Sequence, residues 1–193
     1  MISILNYYDN ILNRNHISPA SYFEWNTYRV FHSLGGYNNL IPNFKFDSNG
    51  KPLGCAKQGL EDIFIEYNNL NLLVECSLRS GISQVDTEGN SVYRHNLEKS
   101  KSCNCKCISL FISPSIHDEL YLYYSHRSRA KIVPLSLSQF KTLCLYLKDK
   151  NVEYNISHIL NNLVYFNNFN SPQEWKIEID NYINSLITLK KLG

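Results

Sequence analysis

The chain has little of several features that would mark a specialised class of protein. Its 193 residues carry a formal net charge of only +2, whereas proteins that bind nucleic acid strongly by themselves usually present a concentrated basic surface. Apolar runs are short, and none approaches the roughly 20 residues that span a bilayer. No N-terminal stretch has the basic, apolar and small-residue layout of a signal peptide. We therefore expect a cytoplasmic protein without a membrane partner.

Signatures of a DNA-recognition module are missing as well. The sequence shows no helix-turn-helix signature, no zinc finger and no strongly basic segment, and its six cysteines are expected to be reduced thiols in the cytoplasm. Cys103, Cys105 and Cys107 are separated by single residues, whereas structural zinc sites usually have two or more residues between paired ligands. Thiols at the edge of a strand are therefore the expected reading of this stretch, rather than a zinc site.

What the chain does have is enough length and apolar content for a sizeable core. Hydrophobic residues make up 44% of the sequence, which is an ordinary value for a soluble protein. We expect one domain over residues 1–193, with a core at about 18–135. The last part, at about 136–193, is predicted to be purely helical and could serve as a docking or dimerisation layer.

The order of apolar patterns predicts an α/β fold with a mixed sheet flanked by helices. A polar loop is expected over 79–90. The predicted elements, in chain order, are a short helix or arm over 1–17, a helix from Ser18 or Ser21 to Leu34, a strand at 43–46, strands at 61–67 and 70–78, a helix at 91–100, a strand at 107–112, a helix from Pro114 to Tyr124, a strand at 131–134, and helices from Ser136, at 155–167 and at 173–190.

The most informative pattern is a pair of apolar strands that each carry one carboxylate. Residues 61–67 and 70–78 are rich in Ile, Leu, Val, Phe and Tyr, and only two asparagines separate them, which suits a two-residue hairpin turn. With that turn, Asp62 lies directly opposite Glu75, and their Cβ atoms are roughly 5 Å apart. With a four-residue loop, Asp62 faces Ser77 instead and Glu75 becomes its diagonal neighbour. The two carboxylates share a face in both registers.

Two like charges at this spacing destabilise a hairpin. A divalent cation between them would remove the penalty, and hard oxygen ligands suit Mg²⁺ or Mn²⁺ rather than zinc. The alternative is the solvated face of a half-exposed hairpin, which is favoured for Asp62 and Glu66 because they share a face with Phe64. Glu75 fits this alternative less well, because it lies inside an apolar run.

Several stretches, taken in order and spacing, resemble a known group of nucleases. They are Tyr22–Arg29, Gly59–Asp62, Leu73–Leu78, Gln84, Arg94-His95, Phe111–Ile116 and Ile132–Leu137. Together they resemble the PD-(D/E)xK nuclease superfamily, and within it the cleavage domain of AlwI-like type IIS restriction endonucleases and their nicking relatives. The similarity covers roughly residues 20–140 and is strongest to stand-alone small subunits of heterodimeric type IIS enzymes. It implies a restriction-endonuclease-like core.

The resemblance also implies a magnesium-dependent catalytic site on the hairpin. Asp62 and Glu75 would hold Mg²⁺, for which Mn²⁺ can substitute, beside the scissile phosphate. Ser77 stands where the superfamily usually has a lysine, so it can orient a water but carries no positive charge. Gln84 or Glu88 would complete the catalytic site by analogy with these relatives.

Three further residues are candidates around this site. Glu24 could close a helix start in a capping box with Ser21, or it could support the metal through a water, and the two roles are compatible. Arg94 and His95 are candidates for contacts with DNA phosphate, although a lone histidine is more often structural or exposed. Glu61, on the opposite sheet face, is expected to be structural or solvated.

A division of labour between two chains follows from the same resemblance. We expect the small catalytic subunit of a heterodimeric type IIS restriction endonuclease, which hydrolyses one strand of double-stranded DNA. A large partner subunit would recognise a short asymmetric site and nick the other strand, which agrees with the modest charge of this chain. Two alternatives remain open, namely a stand-alone repair or mobile-element nuclease of the same fold and a catalytically silent scaffold subunit.

Overall fold

The computed structural model describes residues 1–127, 129–164, 169 and 171–192, with the backbone alone described for 189–192. The helices in this part of the chain are α1 (Ile2–Leu12), α2 (Pro19–Leu34), π1, a π-helical segment (Val85–Gly89), α3 (Asn90–Ser102), α4 (Asp118–Ser125), α5 (Leu137–Leu147), α6 (Val152–Leu163) and α7 (Pro172–Leu192). The strands are β1 (Asn39–Pro42), β2 (Ile63–Glu66), β3 (Leu70–Cys76), β4 (Lys106–Ser113) and β5 (Ile132–Ser136).

The strands form one mixed sheet in the order β1-β2-β3-β4-β5. The pairs β1–β2 and β2–β3 are antiparallel. The pairs β3–β4 and β4–β5 are parallel, and α3 and α4 make the two crossover connections between them. This arrangement confirms the α/β fold with a mixed sheet flanked by helices.

Strand β3 is covered on both faces, which explains its continuous apolar sequence. Leu72 and Val74 belong to the main hydrophobic core, whereas Leu73 packs in a second, smaller cluster with Phe64 and Cys107. A carboxylate inside such a strand carries a desolvation cost. Charged side chains are therefore expected near the end of β3, where the strand leaves the sheet.

The ends of two helices follow directly from local sequence signals. Helix α2 begins at Pro19, with Ser18 as its N-cap, because proline suits the first helical position. It ends at Gly35, which has a φ of 68° that favours glycine. Helix α5 begins with a capping box in which Ser136 and Gln139 each bind the other's backbone N–H. These starts and the end at Leu34 confirm the sequence predictions.

One strand prediction is wrong. The predicted strand at 43–46 lies outside the sheet, and the edge strand β1 occupies Asn39–Pro42 instead. After this segment the chain turns at 47–51, where the carboxylate of Asp47 accepts hydrogen bonds from the backbone N–H groups of Asn49 and Lys51, each at 2.8 Å. Such an Asx turn competes with strand pairing.

Helix starts differ from prediction at two further places. The predicted loop over 79–90 contains π1, which runs straight into α3. The helix predicted from Pro114 begins four residues later, where the His117 side chain accepts a hydrogen bond from the Glu119 N–H at 3.2 Å. This side-chain cap satisfies one of the backbone N–H groups that a helix start leaves unpaired.

The C-terminal helices form the predicted helical layer. Helix α6 begins at Val152, capped by Asn151, three residues before the predicted start at 155, and it ends at Leu163. Residues 165–167 of the predicted helix lie outside the described residues. Trp175 of α7 is fully buried and donates from Nε1 to the Leu163 carbonyl at 2.7 Å, which ties α7 to the end of α6. No helix in the described part of the chain is both long and apolar enough to cross a membrane.

Candidate active site

A cleft of about 570 Å³ opens where β3 leaves the sheet, between the start of α2 and the start of α3. The loop at 55–60 closes it from one side, and the segment at 75–79 forms its floor. Four carboxylates line the cleft: Glu24, Asp62, Glu75 and Glu88. Ser77, Arg94 and His95 line it as well, so the fold brings seven of the eight predicted site residues together.

The hairpin has the register of the two-residue turn. Tyr67 N–H donates to the Leu70 carbonyl at 2.9 Å, and Ile63 pairs with Val74. This register excludes the alternative with a four-residue loop. The regular pairing ends at Ile63 and Val74, and the Asp62 N–H also bonds to the Val74 carbonyl, so Asp62 lies beside the end of β3 rather than in register with Glu75.

Asp62 stands one position before β2 rather than inside it. Its backbone N–H donates to the Val74 carbonyl at 3.1 Å, and its Oδ2 accepts from the Cys76 N–H at 2.6 Å. The side chain is thus fixed across the end of β3. Burial raises the pKa of Asp62 well above its ordinary value, and the neighbouring charges of Glu75 and Glu24 raise it further.

Glu75 is the buried carboxylate of β3, and its partner is His95. His95 Nδ1 lies 2.7 Å from Glu75 Oε1. Burial raises the pKa of Glu75 well above its ordinary value, with further contributions from Glu61, Glu88 and Glu24. Burial also lowers the pKa of His95, and Arg94 lowers it further. Both shifts favour the uncharged forms, because burial removes the water that would stabilise a charge.

Glu24 does not close the start of α2. The predicted capping box between Ser21 and Glu24 is wrong, because the helix starts at Pro19 and Ser21 Oγ donates to the Ser18 carbonyl at 3.0 Å. Glu24 is 5% exposed and its Oε2 accepts from the Ala56 N–H at 2.8 Å. Burial raises its pKa, against the effect of that hydrogen bond. The structure therefore directs Glu24 toward the cleft.

Ser77 and Glu88 are joined at the other side of the cleft. Ser77 Oγ donates to Glu88 Oε1 at 3.0 Å and accepts from the Arg79 N–H at 3.1 Å. Arg79 Nε lies 3.3 Å from the same Glu88 oxygen. Sequence reasoning missed Arg79. The signal that could have found it is its place two residues after Ser77, in the segment that leaves the catalytic strand.

Gln84 is the one predicted site residue that does not line the cleft. It is fully buried, with Nε2 at 2.7–2.9 Å from the oxygens of Arg79, Ser113 and Ser115. Its Oε1 accepts from the His117 N–H at 2.9 Å. Because its amide is saturated by protein groups, Gln84 fastens the loop after β3 to the loop after β4.

Arg94 and Glu61 take different positions around the cleft. Arg94 is half-exposed on the cleft wall and lies 3.9 Å from Glu98, one helical turn later on α3. Glu61 is buried outside the cleft lining, where Lys99 Nζ lies 3.3 Å from its carboxylate. This burial and pairing confirm the structural role expected for Glu61.

The described residues contain no group of three or more His, Cys, Asp or Glu side chains close enough together to hold a metal ion by themselves. Mg²⁺ does not need such a cage, because it usually keeps several waters and binds through one or two carboxylates. Asp62 and Glu75 are the two cleft carboxylates that could bind a metal in this way. His95 Nε2 is buried and has no hydrogen-bond partner among the described residues.

Comparisons with known proteins agree with this geometry. The family model described as AlwI restriction endonuclease matches residues 9–143, more than half of the chain. Among solved structures, the chain is similar to the small subunit (R.BspD6I2) of the heterodimeric restriction endonuclease R.BspD6I. The sequence identity is 38%, the TM-score is 0.86, and the match covers 93% of this chain and 98% of that one. No curated protein sequence matches significantly.

The family match and the shared fold lead to the same conclusion. The five-stranded mixed sheet with flanking helices is the restriction-endonuclease-like fold. The chain therefore belongs to the AlwI restriction endonuclease family, and its activity is that of a type II site-specific deoxyribonuclease.

Proposed function

We propose that this chain is the small catalytic subunit of a heterodimeric type IIS restriction endonuclease and hydrolyses one strand of double-stranded DNA with the help of Mg²⁺. The observation that carries the proposal is the pair Asp62 and Glu75, which lie close together at the end of β3 and line a cleft that also receives Glu24 and Glu88. Such a concentration of carboxylates is costly in an empty site. It is useful when a cation and a phosphate share the site.

Asp62 and Glu75 would hold Mg²⁺ directly, and Mn²⁺ can substitute. Glu24 and Glu88 would act on it through water. A divalent cation here would polarise the scissile phosphate, lower the pKa of a bound water and stabilise the leaving oxygen. Neighbouring carboxylates contribute to the raised pKa of Asp62 and of Glu75, and a cation bound between them would oppose that effect.

The remaining residues orient this pair. His95 fixes the Glu75 carboxylate through its 2.7 Å contact, and its burial leaves no surface for a DNA phosphate. We therefore assign His95 to positioning Glu75 and keep Arg94, which is half-exposed, as the phosphate contact of the pair. Ser77 holds Glu88 at 3.0 Å and can orient a water beside it.

A partner subunit is part of the proposal. The net charge of +2 is too small for strong unaided binding to DNA, and the similar solved structure is described as the small subunit of a heterodimer. A large subunit would supply the sequence recognition and cut the second strand. We also propose a cytoplasmic location, where such a complex would meet its DNA.

The proposal is tested by a nicking assay on supercoiled plasmid with Mn²⁺, using the wild type and Asp62→Asn, each alone and with a candidate large subunit. We expect linear product only when both wild-type subunits are present, and nicked circles when the small subunit carries Asp62→Asn. Efficient cleavage by the small subunit alone would favour a stand-alone nuclease. Linear product with Asp62→Asn would favour a silent scaffold.

A further inference from the structure

Arg79 lies in the loop after β3, yet its backbone is held from both sides. Its N–H donates to Ser77 Oγ at 3.1 Å. Its carbonyl oxygen accepts from Gln84 Nε2 at 2.9 Å and from Ser113 Oγ at 3.1 Å, and both of these residues are fully buried. A loop residue restrained in this way presents its side chain from a fixed origin, as functional side chains require.

The side chain of Arg79 lines the cleft and is 56% exposed. Its Nε lies 3.3 Å from Glu88 Oε1. In the part of the chain that the structure describes, it is the one Lys or Arg side chain that forms a salt bridge with any of the four cleft carboxylates. The contact anchors the guanidinium beside the carboxylates while leaving it open to solvent.

The chemistry of the guanidinium makes phosphate the ligand to expect. The group carries five N–H donors in a planar fork, remains charged at every accessible pH, and binds phosphate oxygens in pairs. A single Glu88 oxygen at 3.3 Å cannot occupy all five donors. A ligand that enters the cleft therefore meets a preformed cation next to the proposed metal-binding pair.

We propose that Arg79 binds a phosphate of the cleaved DNA strand, with Glu88 and the restrained backbone holding its guanidinium in place. The inference rests on the proposed function, because it assumes that DNA enters this cleft. It adds a specific phosphate-binding residue to the lining of the cleft. It also gives Gln84 a positioning role, since Gln84 fixes the Arg79 carbonyl without reaching the cleft.

The experiment is calorimetric titration of the chain with thymidine 3′,5′-bisphosphate in the presence of Mg²⁺. The variants are Arg79→Ala and Arg79→Gln, both of which remove the charge, and Arg79→Lys, which keeps the charge but not the fork. Lys150→Ala is the matched control, because Lys150 is exposed and lies outside the cleft lining. Thermal unfolding of each variant confirms that it is folded.

We expect Arg79→Ala and Arg79→Gln to weaken binding of the bisphosphate about tenfold or more, as the loss of a charged hydrogen bond implies. The affinity of Arg79→Lys for the bisphosphate should lie between those of these variants and the wild type, and the affinity of Lys150→Ala should equal that of the wild type. Equal affinity of Arg79→Gln and the wild type would overturn the inference, as would a wild type that fails to bind at millimolar ligand. The plasmid assay with Asp62→Asn decides the proposed function separately, so the two failures are distinguishable.

Discussion

His95 Nδ1 lies 2.7 Å from Glu75 Oε1, and both side chains are buried in the wall of the cleft. The contact joins α3 to the end of β3, so a helix residue sets the orientation of a carboxylate on the strand. Burial raises the pKa of Glu75 and lowers that of His95, so both shifts work against the charged forms of the pair.

Replacing His95 tests this orienting role. His95→Leu keeps a similar volume but removes the partner of Glu75, so we expect affinity for Mn²⁺ to fall about 10–100-fold, as is typical when a residue that orients a metal ligand is lost. Calorimetric titration with Mn²⁺ measures the change. His158→Leu is the matched control, because His158 is exposed and lies outside the cleft lining. Unchanged Mn²⁺ affinity in His95→Leu would show that Glu75 needs no positioning partner.

Removing Asp62 should abolish the response to divalent cations. Wild-type protein should be stabilised by about 2.7 kcal/mol when the concentration of free Mg²⁺ or Mn²⁺ is a hundred times the dissociation constant. Adding a chelator should reverse this stabilisation. Asp62→Asn retains an oxygen that can accept from the Cys76 N–H, but it loses the charge, so its melting temperature should not respond. The exposed Asp149→Asn, with the same chemical change, should respond like the wild type. An equal response of Asp62→Asn would remove Asp62 from the metal site.

The pH dependence of stability has a definite sign at Asp62. Its pKa is raised in the folded protein, so its contribution is most favourable below the pKa of the unfolded chain and is lost as the pH rises toward the folded value. In metal-free buffer, Asp62→Asn should therefore gain stability relative to the wild type as the pH rises above the ordinary Asp pKa of 3.8. Taking the difference between the two proteins cancels the opposite effect of His95, which both contain. Urea unfolding at each pH measures the difference in free energy of unfolding between the two proteins. A stability advantage of Asp62→Asn that shrinks with rising pH would contradict the account.

Gln84 should matter for stability and for the loop that carries Arg79, but not for metal binding. Gln84→Leu leaves several buried polar partners unsatisfied, so we expect a loss of about 3 kcal/mol in the free energy of unfolding. Mn²⁺ affinity should remain within about twofold of the wild type. Gln173→Leu, at an exposed position, should unfold like the wild type. A Gln84→Leu protein of normal stability that has lost Mn²⁺ binding would return Gln84 to the catalytic site.

The hairpin and its two carboxylates could be predicted because their signals are local. The turn of two asparagines fixes the register, and the register fixes which side chain stands opposite which. The same locality explains why Ser18-Pro19 and Ser136 gave correct helix starts. Edge strand β1 was missed because four residues with little apolar alternation form a strand only through their pairing with β2.

The less predictable part of the site depends on contacts that are distant in sequence. Glu24 accepts from Ala56, 32 residues away, and Gln84 reaches Ser113 across 29 residues. No spacing rule relates such positions. The local sequence around Glu24 predicted a capping box with Ser21, but the helix begins earlier, at Pro19, so Ser21 is not its N-cap.

The central claim is that the cleft around Asp62 and Glu75 cuts one defined strand of DNA when a large subunit supplies recognition. The most direct measurement uses a duplex with each strand labelled separately, incubated with Mg²⁺ and the reconstituted complex containing either the wild-type small subunit or Asp62→Asn. The account predicts that the variant complex leaves one strand intact and still cuts the other at the normal position. Normal cleavage of both strands by the Asp62→Asn complex would contradict it.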